Sequence, residues 1–171
     1  MPWINEFHYD DAGADTGEFV EVAGAAGTDL TGYSIVLYNG SNGASYAIVA
    51  LSGIIADQQN GFGTITFPRP VDGIQNGAPD GIALVGPSGV VEFLSYEGVM
   101  TAANGPAAGL TSTDVGVAET GTAEGTSIGR TGTGDEAGDF TWTLNTDDTP
   151  GAINNGQSFT ARTAQVSVGD I

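Results

Sequence analysis

Apolar and polar residues fall into short runs that carry the two-residue period of extended chain. Trp3-Ile4-Asn5-Glu6-Phe7-His8-Tyr9 opens the series. In Glu18-Phe19-Val20-Glu21-Val22, Phe19 and Glu21 share one face and Glu18, Val20 and Val22 the other. The loop between them, Asp10-Asp11-Ala12-Gly13-Ala14-Asp15-Thr16-Gly17, is acidic and glycine-bearing, so the pair reads as a hairpin. Asp29-Leu30-Thr31-Gly32 turns the chain into a strand at 33–38. Asn39-Gly40-Ser41-Asn42-Gly43 supplies left-handed positions for a second hairpin into 45–49. Further strands are predicted at 63–67, 81–85 and 90–96, the last two joined by Gly86-Pro87-Ser88-Gly89. Short late strands follow at 127–130 and 140–142. Residues 100–122 are rich in Ala, Gly and Thr without a clean period and read as a long surface excursion with one helical turn. Many short strands and no segment of helical period predict an all-β, two-sheet sandwich. Its expected core includes Val20, Val36, Leu84, Phe93 and Trp142.

Composition sharpens this picture. Hydrophobic residues make up 40% of the 171, enough for one domain with a sizeable core. The 28 glycines work against long helices. No apolar run approaches the roughly 20 residues of a membrane-spanning helix. Met1-Pro2-Trp3 has neither the basic nor the apolar region of a signal peptide, which suggests an excised domain whose targeting signal lies upstream. The absence of Cys removes disulfides, thiolate catalysis and zinc-thiolate sites together.

Charge changes the picture most. There are 21 Asp and Glu against three basic side chains, Arg69, Arg130 and Arg162, for a net charge of −18. Nucleic acids and anionic membrane surfaces would be repelled, and cationic partners, divalent metals first, are favoured.

Taken in order, the strand and turn motifs resemble the lamin-tail domain in the form found in bacterial exported proteins. The resemblance rests on Ile4-Asn5-Glu6-Phe7-His8-Tyr9-Asp10, Gly17-Glu18-Phe19-Val20-Glu21-Val22 and Asp29-Leu30-Thr31-Gly32-Tyr33-Ser34. It continues through Asn76-Gly77-Ala78-Pro79-Asp80-Gly81-Ile82-Ala83-Leu84 and Val91-Glu92-Phe93-Leu94-Ser95-Tyr96-Glu97-Gly98. It closes on Gly125-Thr126-Ser127-Ile128-Gly129-Arg130 and Thr149-Pro150-Gly151-Ala152-Ile153-Asn154. The resemblance implies an immunoglobulin-like β-sandwich over residues 3–158 and an accessory role inside a larger extracellular or cell-surface protein. Residues 159–171 would be a linker or the start of a following domain, and Ala164-Gln165-Val166-Ser167-Val168-Gly169-Asp170-Ile171 is similar to the opening strand of a Calx-beta repeat.

The candidate chemistry centres on Glu6, Asp10, Asp11, Asp15, Glu18 and Glu21. Two readings stand: a solvated acidic loop, which an acid-rich surface favours, or a Ca²⁺ site. For the second, the expected ligands are Glu6, Asp10, Asp15 and Glu18, with Glu97 from the Tyr96-Glu97-Gly98 turn. His8 is the only histidine and reads as a strand residue near the surface. No Gly-x-Ser-x-Gly elbow or phosphate loop is present, so no catalytic residue is assigned. Trp3, Tyr33, Tyr38, Tyr46 and Trp142 could stack on a carbohydrate but read as core or half-buried strand residues. The functional expectation is a non-catalytic accessory, binding or spacer module, calcium-stabilised, acting beside neighbouring domains and on a protein or carbohydrate ligand. The alternative is a fragment of an extracellular, nuclease-associated hydrolase using acidic residues.

Overall fold

The computed structural model describes residues 1–162. The Calx-beta-like stretch at 164–171 lies outside the described residues. The fold is all-β: two sheets pack face to face as a sandwich, with no α-helix among the described residues. The strands are β1 (Trp3–His8), β2 (Phe19–Ala25), β3 (Ser34–Asn39), β4 (Ser45–Ala50), β5 (Phe62–Pro68) and β6 (Asp80–Gly86). They continue with β7 (Gly89–Tyr96), β8 (Thr113–Asp114), β9 (Ser127–Gly134), β10 (Thr141–Asn145) and β11 (Gln157–Phe159). The first sheet runs β10-β9-β1-β2-β5, with β11 parallel beside β9. The second runs β4-β3-β6-β7-β8, with β8 parallel to β7.

The alternation read from the sequence decides which faces meet. Ile4, Phe7, Val20 and Val22 of the first sheet pack on Ile35, Leu37, Ile82, Leu84 and Leu94 of the second. Val20 and Leu84 lie in this core as expected; Val36 and Phe93 are buried too, but on the opposite face of the second sheet, and Trp142 is only half-buried, because its strand β10 is an open edge of the first sheet. A bulge between Ile4 and Glu6 shifts the β1–β2 register and sets Glu6 opposite Glu21.

Two segments cover the outer faces and make the protein thicker than a bare sandwich. Residues 100–122 are not the surface excursion their composition suggests, and they hold no helical turn; the one short helical turn among the described residues is a 3₁₀ turn at Ala137–Asp139. Met100, Ala102 and Ala107 are buried over Val36, Tyr38, Ala83 and Phe93 of the second sheet. The Tyr38 hydroxyl fastens this cover, accepting from Ala107 N–H at 3.0 Å and donating to Asn104 C=O at 3.0 Å. Small side chains are what let the backbone lie this close. The tail after β10 crosses the first sheet, where Phe159 joins Trp3, Phe62 and Phe140 in a separate aromatic cluster.

Candidate functional site

Most acids of the β1–β2 hairpin are buried rather than in solvent, which overturns the solvated-loop reading. Asp11 is 6% exposed and Asp15 4%, and Glu6, Glu18 and Glu21 are fully buried; of the hairpin group only Asp10 is partly open. Bare carboxylates at such depth would be prohibitively costly, so each must collect donors.

Glu6 and Glu21 gather theirs beneath the tail. Ser127 Oγ and Thr149 N–H donate to Glu6 Oε1 at 2.6 and 2.9 Å, and Thr149 Oγ1 donates to Oε2 at 2.9 Å. Glu21 accepts from Asn5 Nδ2 at 3.1 Å, Thr66 Oγ1 at 2.8 Å and Gly151 N–H at 2.7 Å. The Thr149-Pro150-Gly151 turn is therefore held down on two cross-strand carboxylates. Asn154 Nδ2 extends the network to the Asn5 and Arg130 carbonyls at 3.1 and 3.0 Å. Gly129 makes room for it: a Cβ there would sit 2.8 Å from Asn154 Nδ2. Burial, and next the charge of Glu6, push the Glu21 carboxyl up to about 8. Burial raises Glu6 as well, against the pull of Ser127 and Thr149.

Glu18 serves the opposite end. Gly73 and Ile74 N–H donate to its two oxygens at 2.6 and 3.1 Å, and burial outweighs them to put its carboxyl at about 7.

His8 is not near the surface: it is 1% exposed. Its Nδ1 lies 2.9 Å from Glu119 Oε1, and its Nε2 lies 3.1 Å from the Thr16 carbonyl and 3.3 Å from Asp11 Oδ1. Every neighbour of the ring is an acceptor, so the ring holds both protons. Burial lowers its basicity, but Glu119 and then Asp11 overcome that and hold the imidazolium at about 9. Glu119 Oε2 also accepts from the Tyr9 and Asp10 N–H groups at 2.7 and 3.1 Å. Glu119 pins the end of the 100–122 cover onto β1. Glu119 is absent from the candidates above; in the sequence it is marked only as an acid within a segment otherwise poor in charge.

Of the residues expected to bind Ca²⁺, Asp10, Asp15 and Glu97 come together. Asp10 is raised by burial first, then by the charge of Asp15 and, less, of Glu97. Glu97 accepts from the Tyr9 hydroxyl at 2.8 Å, and Asp15 Oδ1 from Asp11 N–H at 2.9 Å. Glu6 and Glu18 instead spend their oxygens on the donors named above, although the charge of Asp15 still reaches Glu18. Among the described residues, no three His, Asp or Glu side chains are already arranged to grip a metal ion.

Arg130 forms the remaining buried ionic centre. Its Nη2 bonds to the Glu92 carboxylate of the other sheet, and its Nε and Nη1 donate to the Ile4 and Ala137 carbonyls at 2.9 Å each. Glu92 Oε2 in turn accepts from Ile4 N–H at 2.9 Å. The guanidinium lies 4.3 Å from the centre of the Trp142 ring. That face of Trp142 is therefore taken by a cation. Trp3 and Tyr38 are buried and Tyr33 and Tyr46 half-buried against the core, so these aromatics build the sandwich rather than a stacking platform.

Comparison of the chain with protein-family models, with curated proteins and with solved structures returns no match.

Proposed function

We propose that the chain is a non-catalytic binding or spacer module of a larger secreted or cell-surface protein, a lamin-tail-like domain with an immunoglobulin-like sandwich over residues 3–158. The observation that carries this reading is the use made of its buried ionisable groups. Reactive side chains in an enzyme face a cleft where substrate can reach them. Here His8 is enclosed by Glu119, Asp11 and the Thr16 carbonyl, and Glu6, Glu18 and Glu21 are hydrogen-bonded to internal partners. These groups hold loops onto sheets. Order and spacing of the sequence motifs support the family and, through it, an extracellular setting beside other domains that contact a protein or carbohydrate ligand.

Ca²⁺ belongs to the same proposal, with Asp10, Asp15 and Glu97 as its ligands, because a divalent ion would relieve the repulsion from Asp15 and Glu97 that adds to burial in raising Asp10. The test is thermal melting in chelator, in millimolar CaCl₂ and in NaCl of equal ionic strength. The expected result is a calcium-specific gain of about 1 kcal/mol, lost in the Asp10→Asn, Asp15→Asn double variant. Equal gains in both salts would end the calcium reading. The same protein, assayed on nuclease, glycosidase and esterase substrates, is expected to show no turnover. Turnover abolished by Asp10→Asn or Glu97→Gln would replace the module with the hydrolase alternative.

A further inference from the structure

We propose that the open edge of β4 is a self-association surface, on which two copies of this chain pair antiparallel about a two-fold axis and join their five-stranded sheets. In a chain of net charge −18, the stretch from Leu30 to Ala56 contains no Asp, Glu, Lys or Arg, and β4 lies inside it.

Strand edges that stay solitary are protected by charge, proline, shortness or a covering segment. The other open edges here have such devices. β5 ends at Pro68 and runs into Arg69 and Pro70. β10 is flanked by Asp139 on one side and Asp147 and Asp148 on the other. β7 is partly closed by β8 and carries Glu92. β4, Ser45-Tyr46-Ala47-Ile48-Val49-Ala50, has neither charge nor proline and pairs only with β3; Asn104 Oδ1 caps its start by accepting from Ser45 N–H at 2.8 Å, which leaves the Ile48–Ala50 end open.

The register shows which atoms it offers. Leu51 N–H bonds the Tyr33 carbonyl, and Val49 faces Ile35, so these positions point their backbone groups at β3. By alternation, Ile48 and Ala50 turn theirs outward. The same two residues are exposed, and Ile48 is 68% exposed. An outward N–H and C=O beside a bare isoleucine side chain is what an added strand requires.

Electrostatics selects the occupant. A cationic partner would be drawn to the carboxylate-rich surface, not to this neutral one. A second copy is repelled everywhere that carboxylates face each other, and the β4 edge lets two copies meet without opposing charges. A two-fold axis through Ile48 sets it against the partner's Ile48 and satisfies both outward groups at once. The contact is one six-residue strand edge, smaller than a standard interface of about 1,600 Å², so the dimer is weak.

Sedimentation velocity of the whole chain, from about 20 to 500 µM, tests this. The expected result is a concentration-dependent dimer that strengthens as NaCl screens the net charge. Ile48→Pro, which deletes an N–H the fold itself does not use, and Ile48→Lys should both remain monomeric, and Ile48→Val should dimerise normally. Amide exchange reads the same contact without a variant: Ile48 and Ala50 should gain protection only at high concentration. A monomer throughout the range, a dimer that survives both disruptive variants, or exchange at Ile48 independent of concentration would overturn the proposal.

Discussion

Arg130→Met is expected to cost about 3–5 kcal/mol, the loss associated with stranding one partner of a buried ion pair. Glu92 would keep its place between the sheets, mostly buried and without a cation. The Ile4 and Ala137 carbonyls would lose their donors at the same time. These losses fall where β1 meets both sheets, because Arg130 and Glu92 together satisfy the two backbone groups of Ile4. For a domain of this size the midpoint of melting should fall by roughly 6–20 °C. Adding Glu92→Gln to Arg130→Met should recover part of the loss, since glutamine still accepts from Ile4 N–H but brings no buried charge. Urea denaturation of the two single variants and the double variant measures this coupling. A cost under about 1 kcal/mol for Arg130→Met would mean that the pair is solvated and does not hold the sheets together.

Stability should fall as pH rises from about 5 to 9. The sign follows from where protons are held. Glu21 keeps its proton to about 8 in the fold and Glu18 to about 7, but both lose it near 4.5 when unfolded. Between those values the native state binds more protons, so raising the pH favours unfolding. His8 acts in the same direction over a higher window. Its folded value of about 9 exceeds the unfolded 6.5, so its contribution is complete below about 6.5 and vanishes as pH passes 9. Most domains gain stability as carboxylates ionise; this one should lose it. Glu21→Gln should flatten the lower part of the profile and raise stability at pH 8. Urea midpoints at closely spaced pH values give the curve, and a rise from pH 5 to 8 would contradict it.

The sandwich was legible because strand alternation is local. Phe7, Val20, Val22, Leu37 and Leu84 declare the inner faces through their spacing alone. β8 and β11 were invisible for the opposite reason, since two or three residues carry no period and are set only by parallel pairing with distant strands. The cover at 100–122 was misread because Ala102 and Ala107 look like loop composition; they are buried because they are small enough to lie flat on Tyr38 and Phe93. The acids were found but misplaced. Glu6 depends on donors from Ser127 and Thr149, and Glu18 on Gly73 and Ile74, and nothing in a hairpin sequence announces partners so far along the chain. One clue was available. Glu6 and His8, two apart on β1, fall on the same side, and Phe19 and Glu21 line the neighbouring strand's outer face. Ionisable groups on the outer face of a central strand need a cover, and the Phe140 and Phe159 aromatics mark where it lies.

The central claim is that the buried ionisable groups of the hairpin hold the fold together and are closed to substrate. Because His8 is the only histidine, its ring gives one unambiguous signal for ¹⁵N and ¹³C NMR. At pH 7.5 both ring nitrogens should be protonated, with the proton lost only near pH 9. A ring that is neutral at pH 7.5 and titrates near 6.5, as a solvent-accessible imidazole does, would contradict it.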